Sequence, residues 1–161
     1  MIGAGASFAE RVTQNPCVAC SAPCCRVVMI PHKAPETLTE IDYVKYLVNF
    51  PSIEVSVAAT GDWTIVVHDT CRHFERETHR CGVHDTDEQP LTCRYYNQYR
   101  CWYKPNLTER EPPDAYFLSA ENFTRWAELL RFDDAGKLVA GPNFEESKKA
   151  LAGAGSRLSA G

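Results

Sequence analysis

The chain has 161 residues, of which 44% are hydrophobic and 24% charged, and its formal net charge is −4 at pH 7. This length is typical of one domain, and the composition excludes a globally disordered chain. The acidic balance disfavours a protein that coats phosphate backbones, so nucleic acid is not the expected partner. No stretch has about 18 consecutive apolar residues, and the start lacks a basic, apolar leader. We therefore expect no membrane span and a cytoplasmic location.

The chain begins with small and polar residues, and residues 1–16 are expected to form a loosely held arm. Asn15 and Pro16 are suited to cap and begin a short helix, which Pro23 would end. The first cysteines are therefore predicted to lie on this helix and just after it.

Three elements with clear patterns follow. The apolar run at 26–30 predicts a strand, and apolar residues at near-helical spacing predict a helix over 37–50. An alternating segment at 53–57 and a β-branched run at 63–67 flank a Thr-Gly-Asp turn, which together predict a hairpin. This hairpin leads the chain directly to Cys71.

The next stretch is predicted to be irregular. Residues 71–101 are rich in Arg, His, Asp, Thr and Gly, which favours loops held in place by something other than a hydrophobic core. Residues 106–113 are predicted to be a linker.

Regular structure returns towards the C-terminus. The apolar stripe over 119–130 predicts a helix capped by Ser119. Gly136 is placed for a tight turn in the left-handed conformation. Asn143 with Glu146 predicts a capping box and a last helix ending near Leu151.

Together these elements predict an α+β fold: a small, cysteine-rich, metal-stabilised domain with a short β-hairpin and flanking helices. The expected organisation, in chain order, is an arm (1–16), a cysteine-cluster metal-binding core (17–104), a C-terminal helical segment packed on that core (114–151) and a flexible tail (152–161).

The eight cysteines fall in two clusters, with none at 26–70 or 102–161. In a reducing cytosol such clustering favours metal binding over disulfides, and a Cys-x2-Cys step places two thiolates close enough to share a metal. Two disulfides, or buried reduced thiols, are the alternative. All eight are candidate ligands: Cys17, Cys20, Cys24 and Cys25 in the first cluster, and Cys71, Cys81, Cys93 and Cys101 in the second.

The residues around these cysteines form a recognisable series. It runs Cys17-Val-Ala-Cys20-Ser-Ala-Pro-Cys24-Cys25, then Cys71-Arg-His-Phe, then Arg80-Cys81-Gly-Val-His84-Asp, then Gln89-Pro-Leu-Thr-Cys93-Arg-Tyr95. The series resembles the YkgJ-type cysteine-cluster family, described as a zinc- or iron-chelating domain. Gln89 stands where that family usually has Arg, and His84 where it usually has Tyr.

The resemblance implies metal binding, and it implies Cys71, Cys81 and Cys93 as ligands of the second cluster, while Cys101 lies beyond the match. Some relatives, similar to the flagellin lysine methylase, are thought to carry an iron–sulfur cluster and to use S-adenosylmethionine. Local geometry can bring three cysteines of the first cluster together, so a four-thiolate site still needs a sulfur from the distant second cluster.

The kind of metal is predicted from the cysteine spacing. Four thiolates suit either zinc or an iron–sulfur cluster. The second cluster supplies no further Cys-x2-Cys pair, which favours an iron–sulfur cluster, 4Fe–4S above all, over two zinc ribbons. A Rieske-type pairing of Cys71-x-His73 with Cys81-x2-His84 is a weaker alternative, because the segment between them is short and the first cluster is left unexplained.

Arginines and aromatic residues alternate over 94–104. Such a run can stack on single-stranded nucleic acid, but a water-excluding shell around a metal is the favoured interpretation. Arg94 and Arg100 would then offset thiolate charge, and Arg94 is the candidate cofactor-binding residue.

The predicted function is a cytoplasmic metal-binding protein whose iron–sulfur cluster is ligated from two distant segments. It would act in electron transfer, maturation or cluster-assisted protein modification, with another protein as partner. A structural zinc module for protein interaction is the alternative, and an S-adenosylmethionine-dependent protein methyltransferase is a second one, implied by the resemblance. No catalytic residue is assigned.

Overall fold

The chain divides into two units, each built from two separate stretches of sequence. A computed structural model describes residues 22–96 and 114–152. The first unit, here the cysteine unit, takes its described residues from 22–27 and 69–96. The second, here the sheet unit, takes them from 28–68 and 114–152. This division differs from the predicted one. Residues 28–68 were predicted to be part of the metal-binding core at 17–104, but they belong to the same unit as the C-terminal stretch.

Helices and antiparallel strands are both present, so the predicted α+β class is confirmed. The strands are β1 (Val27–His32), β2 (Ile53–Ala58), β3 (Trp63–His68), β4 (Phe74–Glu75), β5 (Arg80–Cys81), β6 (Ala115–Leu118), β7 (Arg131–Phe132) and β8 (Leu138–Ala140). The helices are α1 (Leu38–Val48), α2 (Leu91–Arg94), α3 (Phe123–Ala127) and α4 (Phe144–Ala150), and a 3-10 turn covers Pro23–Cys25. None of the helices in the described part of the chain is both long and apolar enough to cross a membrane.

The sheet unit is organised around a four-stranded sheet in the order β1-β3-β2-β6. Strand β2 pairs antiparallel with both neighbours, so that Val55 lies opposite Ile65 on β3 and Leu118 on β6. The hairpin of β2 and β3 confirms the prediction from alternation. Strand β1 runs on through Pro31, which the sheet tolerates because β1 is an edge strand.

Helix α1 packs against β2 and begins with a capping box. The Thr37 hydroxyl accepts a hydrogen bond from the Glu40 backbone N–H (3.2 Å), and the Glu40 carboxylate accepts one from the Thr37 N–H (3.1 Å). These bonds satisfy two of the donors that a helix start leaves unpaired, which fixes where α1 begins.

The hydrophobic core lies entirely within the sheet unit. Its side chains come from α1, β2, β6 and α3 and from residues that follow α3 and α4. They are Ile41, Val44, Val48, Val55, Val57, Tyr116, Leu118, Phe123, Trp126, Leu130 and Leu151. Among the described residues of the cysteine unit, only two hydrophobic side chains are buried, Val27 and Val83. The two units therefore differ sharply in how much apolar surface they remove from water.

The C-terminal stretch confirms two predictions. Gly136 has φ +77° in the turn between β7 and β8, a backbone conformation that favours glycine. The capping box of Asn143 and Glu146 begins α4, with the Asn143 side chain accepting from the Glu146 N–H at 3.0 Å.

Other predictions need correction. The helix expected over 119–130 is only the five-residue α3, because Asn122 rather than Ser119 stands at its N-cap position. The Asn122 side chain accepts a hydrogen bond from the Ser119 N–H (2.9 Å), which holds residues 119–122 in a turn. Pro23 opens a 3-10 turn, and the helix that it was expected to end lies outside the described residues. Strand β6 was not predicted.

Several predictions fall outside the described residues. These are the arm at 1–16, the helix start at Asn15, the linker at 106–113 and all but the first residue of the tail at 152–161.

Candidate metal centre

Five of the eight cysteines lie in the described part of the chain, and all five belong to the cysteine unit: Cys24, Cys25, Cys71, Cys81 and Cys93. No two of these five form a disulfide. The other three candidate ligands, Cys17, Cys20 and Cys101, lie outside the described residues.

A tight turn presents the two adjacent cysteines of the first cluster. Ala22 adopts the left-handed conformation (φ 53°, ψ 55°), and Pro23 then starts the 3-10 turn. The Cys25 N–H donates to the Ala22 carbonyl at 3.0 Å. On this turn Cys24 is exposed, whereas Cys25 is half-buried.

A backbone hydrogen bond joins the two cysteine clusters. The Cys71 N–H donates to the Cys25 carbonyl at 2.7 Å. The chain then turns at once, since the Phe74 N–H donates to the Cys71 carbonyl at 3.0 Å. Two cysteines that are distant in sequence are therefore neighbours along the backbone of the folded unit.

The short hairpin of β4 and β5 carries Cys81. Phe74 pairs with Cys81 and Glu75 with Arg80. The Gly82 N–H donates to the His73 carbonyl at 2.8 Å, which extends the same pairing. This register holds Cys81 beside the turn that begins at Cys71.

Cys93 lies on α2, which the loop after β5 holds in place. The buried side chain of Gln89 accepts a hydrogen bond from the Asp85 N–H (2.9 Å), and the guanidinium of Arg94 donates to the Thr86 carbonyl. Gln89 thus closes this loop at the position where the similar family usually has Arg. Hydrogen bonds therefore join the stretch at 24–25 to that at 71–81, and others hold the loop that leads to Cys93.

The electrostatics of the thiols agree with this arrangement. Burial, and then the neighbouring thiolates Cys71, Cys81 and Cys93, raise the pKa of Cys25, against a lowering by a hydrogen bond from the Cys24 thiol. Burial, and then Cys81 and Cys71, also raise the pKa of Cys93. Cys93 is exposed as a whole residue, so its burial is partial. Neighbouring thiols thus add to burial in opposing the ionisation of Cys25 and Cys93, and a bound cation would reverse that repulsion.

The side chains do not form a closed ligand set. Within residues 22–96 and 114–152, no group of three or more His, Cys, Asp or Glu side chains is arranged to hold a metal ion. The donors are soft thiols, which suit zinc or iron–sulfur chemistry. The donors are therefore of the right chemical type for such a metal, while the described side chains are not arranged as its ligand set.

One histidine of the Rieske-type alternative has another partner. The ring of His84 pairs with Asp85 (Nδ1 to Oδ2, 3.0 Å), and both side chains are largely exposed. This alternative gains no support from that contact.

The predicted role of Arg94 stays a prediction. Its guanidinium is exposed and donates to the Thr86 carbonyl, so at least one of its N–H groups has a structural partner in the loop. Arg100, and the remainder of the alternating run beyond residue 96, lie outside the described residues.

A buried hydrogen-bonded pair in the sheet unit was not anticipated from the sequence. Glu54 and His68 meet at 2.8 Å (Oε2 to Nε2), and their side chains are 3% and 18% exposed. The sequence signal for this pair is an acidic residue inside an alternating strand, on the opposite face from Val55. Buried polar side chains need such partners, because an unpaired one is costly.

No family model, no curated protein and no solved structure matches the chain. The resemblance to the YkgJ-type family therefore rests on the cysteine motifs and their spacing.

Proposed function

We propose that this chain is a metal-binding protein that holds an iron–sulfur cluster in its cysteine unit. The observation that carries this proposal is that a backbone hydrogen bond joins Cys71 to Cys25, from the distant first cluster, and that β-pairing places Cys81 opposite Phe74, three residues after Cys71. Cys93 follows on α2. Four thiolates complete the ligand set of one 4Fe–4S cluster, or of one closed zinc site.

The described part of the cysteine unit buries few hydrophobic side chains, which supports a role for a metal in folding. Small units with few buried apolar residues usually need disulfides, a metal or a partner to become stable. A metal that joins Cys25 to Cys71 would close a loop of roughly fifty residues, and long loops gain most from cross-linking in the chain-entropy account. Metal binding and ordering of the cysteine unit are therefore expected to be coupled.

An iron–sulfur cluster is preferred to zinc because the second cluster has no Cys-x2-Cys pair. Such a cluster would supply one-electron transfer when bound. The role we propose is in electron transfer, maturation or cluster-assisted modification, with another protein as partner, in the cytoplasm. Membership of the YkgJ-type family belongs to this proposal, as does the weaker alternative of an S-adenosylmethionine-dependent methyltransferase.

A structural zinc module is the second candidate function. The thiol donor set supports it equally well, since zinc also binds four thiolates. A closed zinc site would order the cysteine unit for contact with a partner protein, without redox chemistry.

Metal analysis of anaerobically purified full-length protein separates these candidates. Iron and acid-labile sulfide, together with a brown colour, support the iron–sulfur proposal. Stoichiometric zinc in colourless protein supports the zinc module. Protein that contains neither metal contradicts both.

A matched pair of variants ties the metal to the proposed site. Cys81→Ser removes a thiol from β5 and is expected to abolish most metal binding. Thr78→Ala alters the same hairpin by removing the hydrogen bond from Thr78 Oγ1 to Glu75 (2.9 Å) but takes away no thiol, so its metal content should equal that of the wild type.

A further inference from the structure

A row of exposed aromatic rings runs along α1 in the sheet unit. The ring of His32, at the end of β1, contacts that of Tyr43, with 6.3 Å between ring centroids. Tyr43 stacks on Tyr46 (6.0 Å), and Tyr46 meets Phe50, just after α1, edge to face (5.2 Å). The rings therefore contact one another while their outer surfaces remain in water.

The helical period explains why these rings lie outside the core. Residues three or four positions apart share one face of a helix. The face of α1 that packs into the core consists of Ile41, Val44, Leu47 and Val48. Tyr43 and Tyr46 are three positions apart on another face, which points away from the core.

The exposed surface continues onto β1, the edge strand of the sheet. Alternate residues of a strand lie on the same side, so Val28 and Ile30 share the side of His32, which contacts Tyr43. We call this surface the aromatic face, and its members are Val28, Ile30, Tyr43, Tyr46 and Phe50.

The area of the aromatic face is that of a protein interface. Since its five members are between 44% and 55% exposed, it presents on the order of 500 Å² to solvent. The largest apolar patch of a typical monomer is about 300–600 Å² and is often functional. A standard interface takes about 800 Å² from each partner, and about 65% of that area is apolar in homodimers, which is again about 500 Å².

The charges beside the rings are complementary to those of a second copy of the same surface. Asp42 and Lys45 are both exposed on α1, three positions apart and on the same side of the rings. In a two-fold contact one surface meets itself. When two copies of α1 cross antiparallel between Tyr43 and Val44, Asp42 of each copy comes level with Lys45 of the other. Opposite charges are thus paired twice.

We propose that the aromatic face is a two-fold interface through which two copies of this chain form a homodimer, with α1 antiparallel to its counterpart. A second copy is the occupant because Asp42 and Lys45 pair with each other across a two-fold axis, where the same surface lies on both sides. The proposal is independent of the metal-binding function.

The first test measures self-association of the full-length protein in a thiol reductant, so that disulfides between copies do not form. Sedimentation velocity over a concentration series gives the dimer dissociation constant, and wild type is expected to dimerise at micromolar concentration. Tyr46→Lys places a charge in the middle of the rings on both copies and should raise this constant by roughly tenfold or more. Leu129→Lys makes the same kind of change at an exposed leucine outside the face and should leave it unchanged.

A mixing experiment tests whether the partner is a second copy. Asp42→Lys and Lys45→Asp each place like charges opposite one another in a homodimer, so each variant alone should dimerise several-fold more weakly than wild type. An equimolar mixture restores opposite charges at both contacts. The mixture should therefore dimerise at concentrations where each variant alone is a monomer, and circular dichroism checks that both variants are folded.

Three results would overturn the proposal. They are wild type that stays monomeric at high micromolar concentration, a dimer that Tyr46→Lys leaves intact, and a mixture no more dimeric than either variant alone. The first would leave the aromatic face to a partner of other chemistry. Should Tyr46→Lys fail to fold, the wild-type measurement and the mixing experiment still decide. Metal content, measured on the same samples, tests the proposed function separately.

Discussion

In the sheet unit, apolar side chains from α1, β2 and β6 meet in a shared core, and Val44, Val55 and Leu118 have no exposed surface. In the cysteine unit, by contrast, the strands are two residues long, and Val27 and Val83 are the only buried hydrophobic side chains among its described residues. Full burial of such a side chain stabilises a fold by about 1.5–3 kcal/mol. One unit therefore has the interactions that order most domains, and the other needs a further source of stability.

The position of the cysteines matches this difference. The sheet unit, which spans 28–68 and 113–161, contains no cysteine, whereas every described cysteine lies in the unit with the poor core. Thiol ligation can replace hydrophobic burial as the means of ordering a small unit. Each unit combines two stretches of sequence, and the stretches of the two units alternate along the chain. The difference between the units therefore does not appear when composition is read in sequence order.

The largest expected effect is on metal content, and it tests whether the two cysteine clusters share one site. Cys93→Ser or Cys25→Ser is expected to remove most of the bound metal and to lower the melting temperature of the protein, because each removes a proposed ligand of the shared site. Cys101→Ser, which lies beyond the family-like motif, should do much less. Metal per chain, measured for the three purified variants, checks this order. A Cys101→Ser protein that loses its metal while Cys25→Ser retains it would show that the shared site is wrong.

The next effect is on the sheet unit and compares two leucines. Leu118→Ala leaves a cavity opposite Val55 and is expected to lower the unfolding free energy by about 2–5 kcal/mol. Leu91→Ala, at a position that is 63% exposed on α2, should change it by no more than about 0.5 kcal/mol. Denaturant unfolding followed by tryptophan fluorescence measures both. The metal content of folded Leu118→Ala should equal that of the wild type, and a loss of metal there would mean that the two units are not independent.

A smaller effect is expected at the start of α4. Asn143→Ala removes the side-chain acceptor of the capping box and should destabilise the sheet unit by about 1 kcal/mol. Asn49→Ala, at the exposed C-terminal end of α1, serves as the control and should have little effect. Equal melting temperatures for the two variants would contradict the role given to the cap.

The smallest predicted effect concerns the pH response of the sheet unit. Burial raises the pKa of Tyr116, whose ordinary value is about 10, against a lowering by hydrogen bonds with Ser147 and Trp126, so the folded state holds this proton more tightly than the unfolded state does. The associated stability is fully present below the ordinary value and is lost as the pH rises through the raised one.

The sheet unit should therefore keep its order up to about pH 10 and loosen above it. The methyl NMR signals of Val55 report on this unit during an alkaline titration. Broadening of these signals well below that pH contradicts this prediction.

Local signals in the sequence predicted the elements that depend on nearby residues. The hairpin of β2 and β3, the left-handed Gly136 and the capping box at Asn143 are all fixed by residues within a few positions of one another. Strand β6 was missed because only its pairing with β2, far away in the sequence, makes four residues a strand. The helix over 119–130 was predicted too long because the side chain of Asn122 holds the preceding turn.

The candidate site shows the same limit. The sequence groups the cysteines into two clusters but cannot show that the backbone of Cys71 bonds to that of Cys25, since that contact depends on the fold between them. Nor can it distinguish the exposed Cys24 from the half-buried Cys25, because the difference arises from a left-handed Ala22 and the turn that follows. The pairing of Glu54 with His68 likewise requires knowledge of strand register.

Amide hydrogen exchange, compared between metal-loaded and metal-free protein, tests the central claim that ligation orders one unit and hydrophobic burial the other. The account predicts that removal of the metal strips protection from the amides of Cys71, Phe74 and Gly82, which donate the hydrogen bonds that link the cysteine unit. Amides in the sheet unit, such as those of Trp126 and Leu151, should keep theirs. Equal protection of the cysteine-unit amides in the two states would contradict the account.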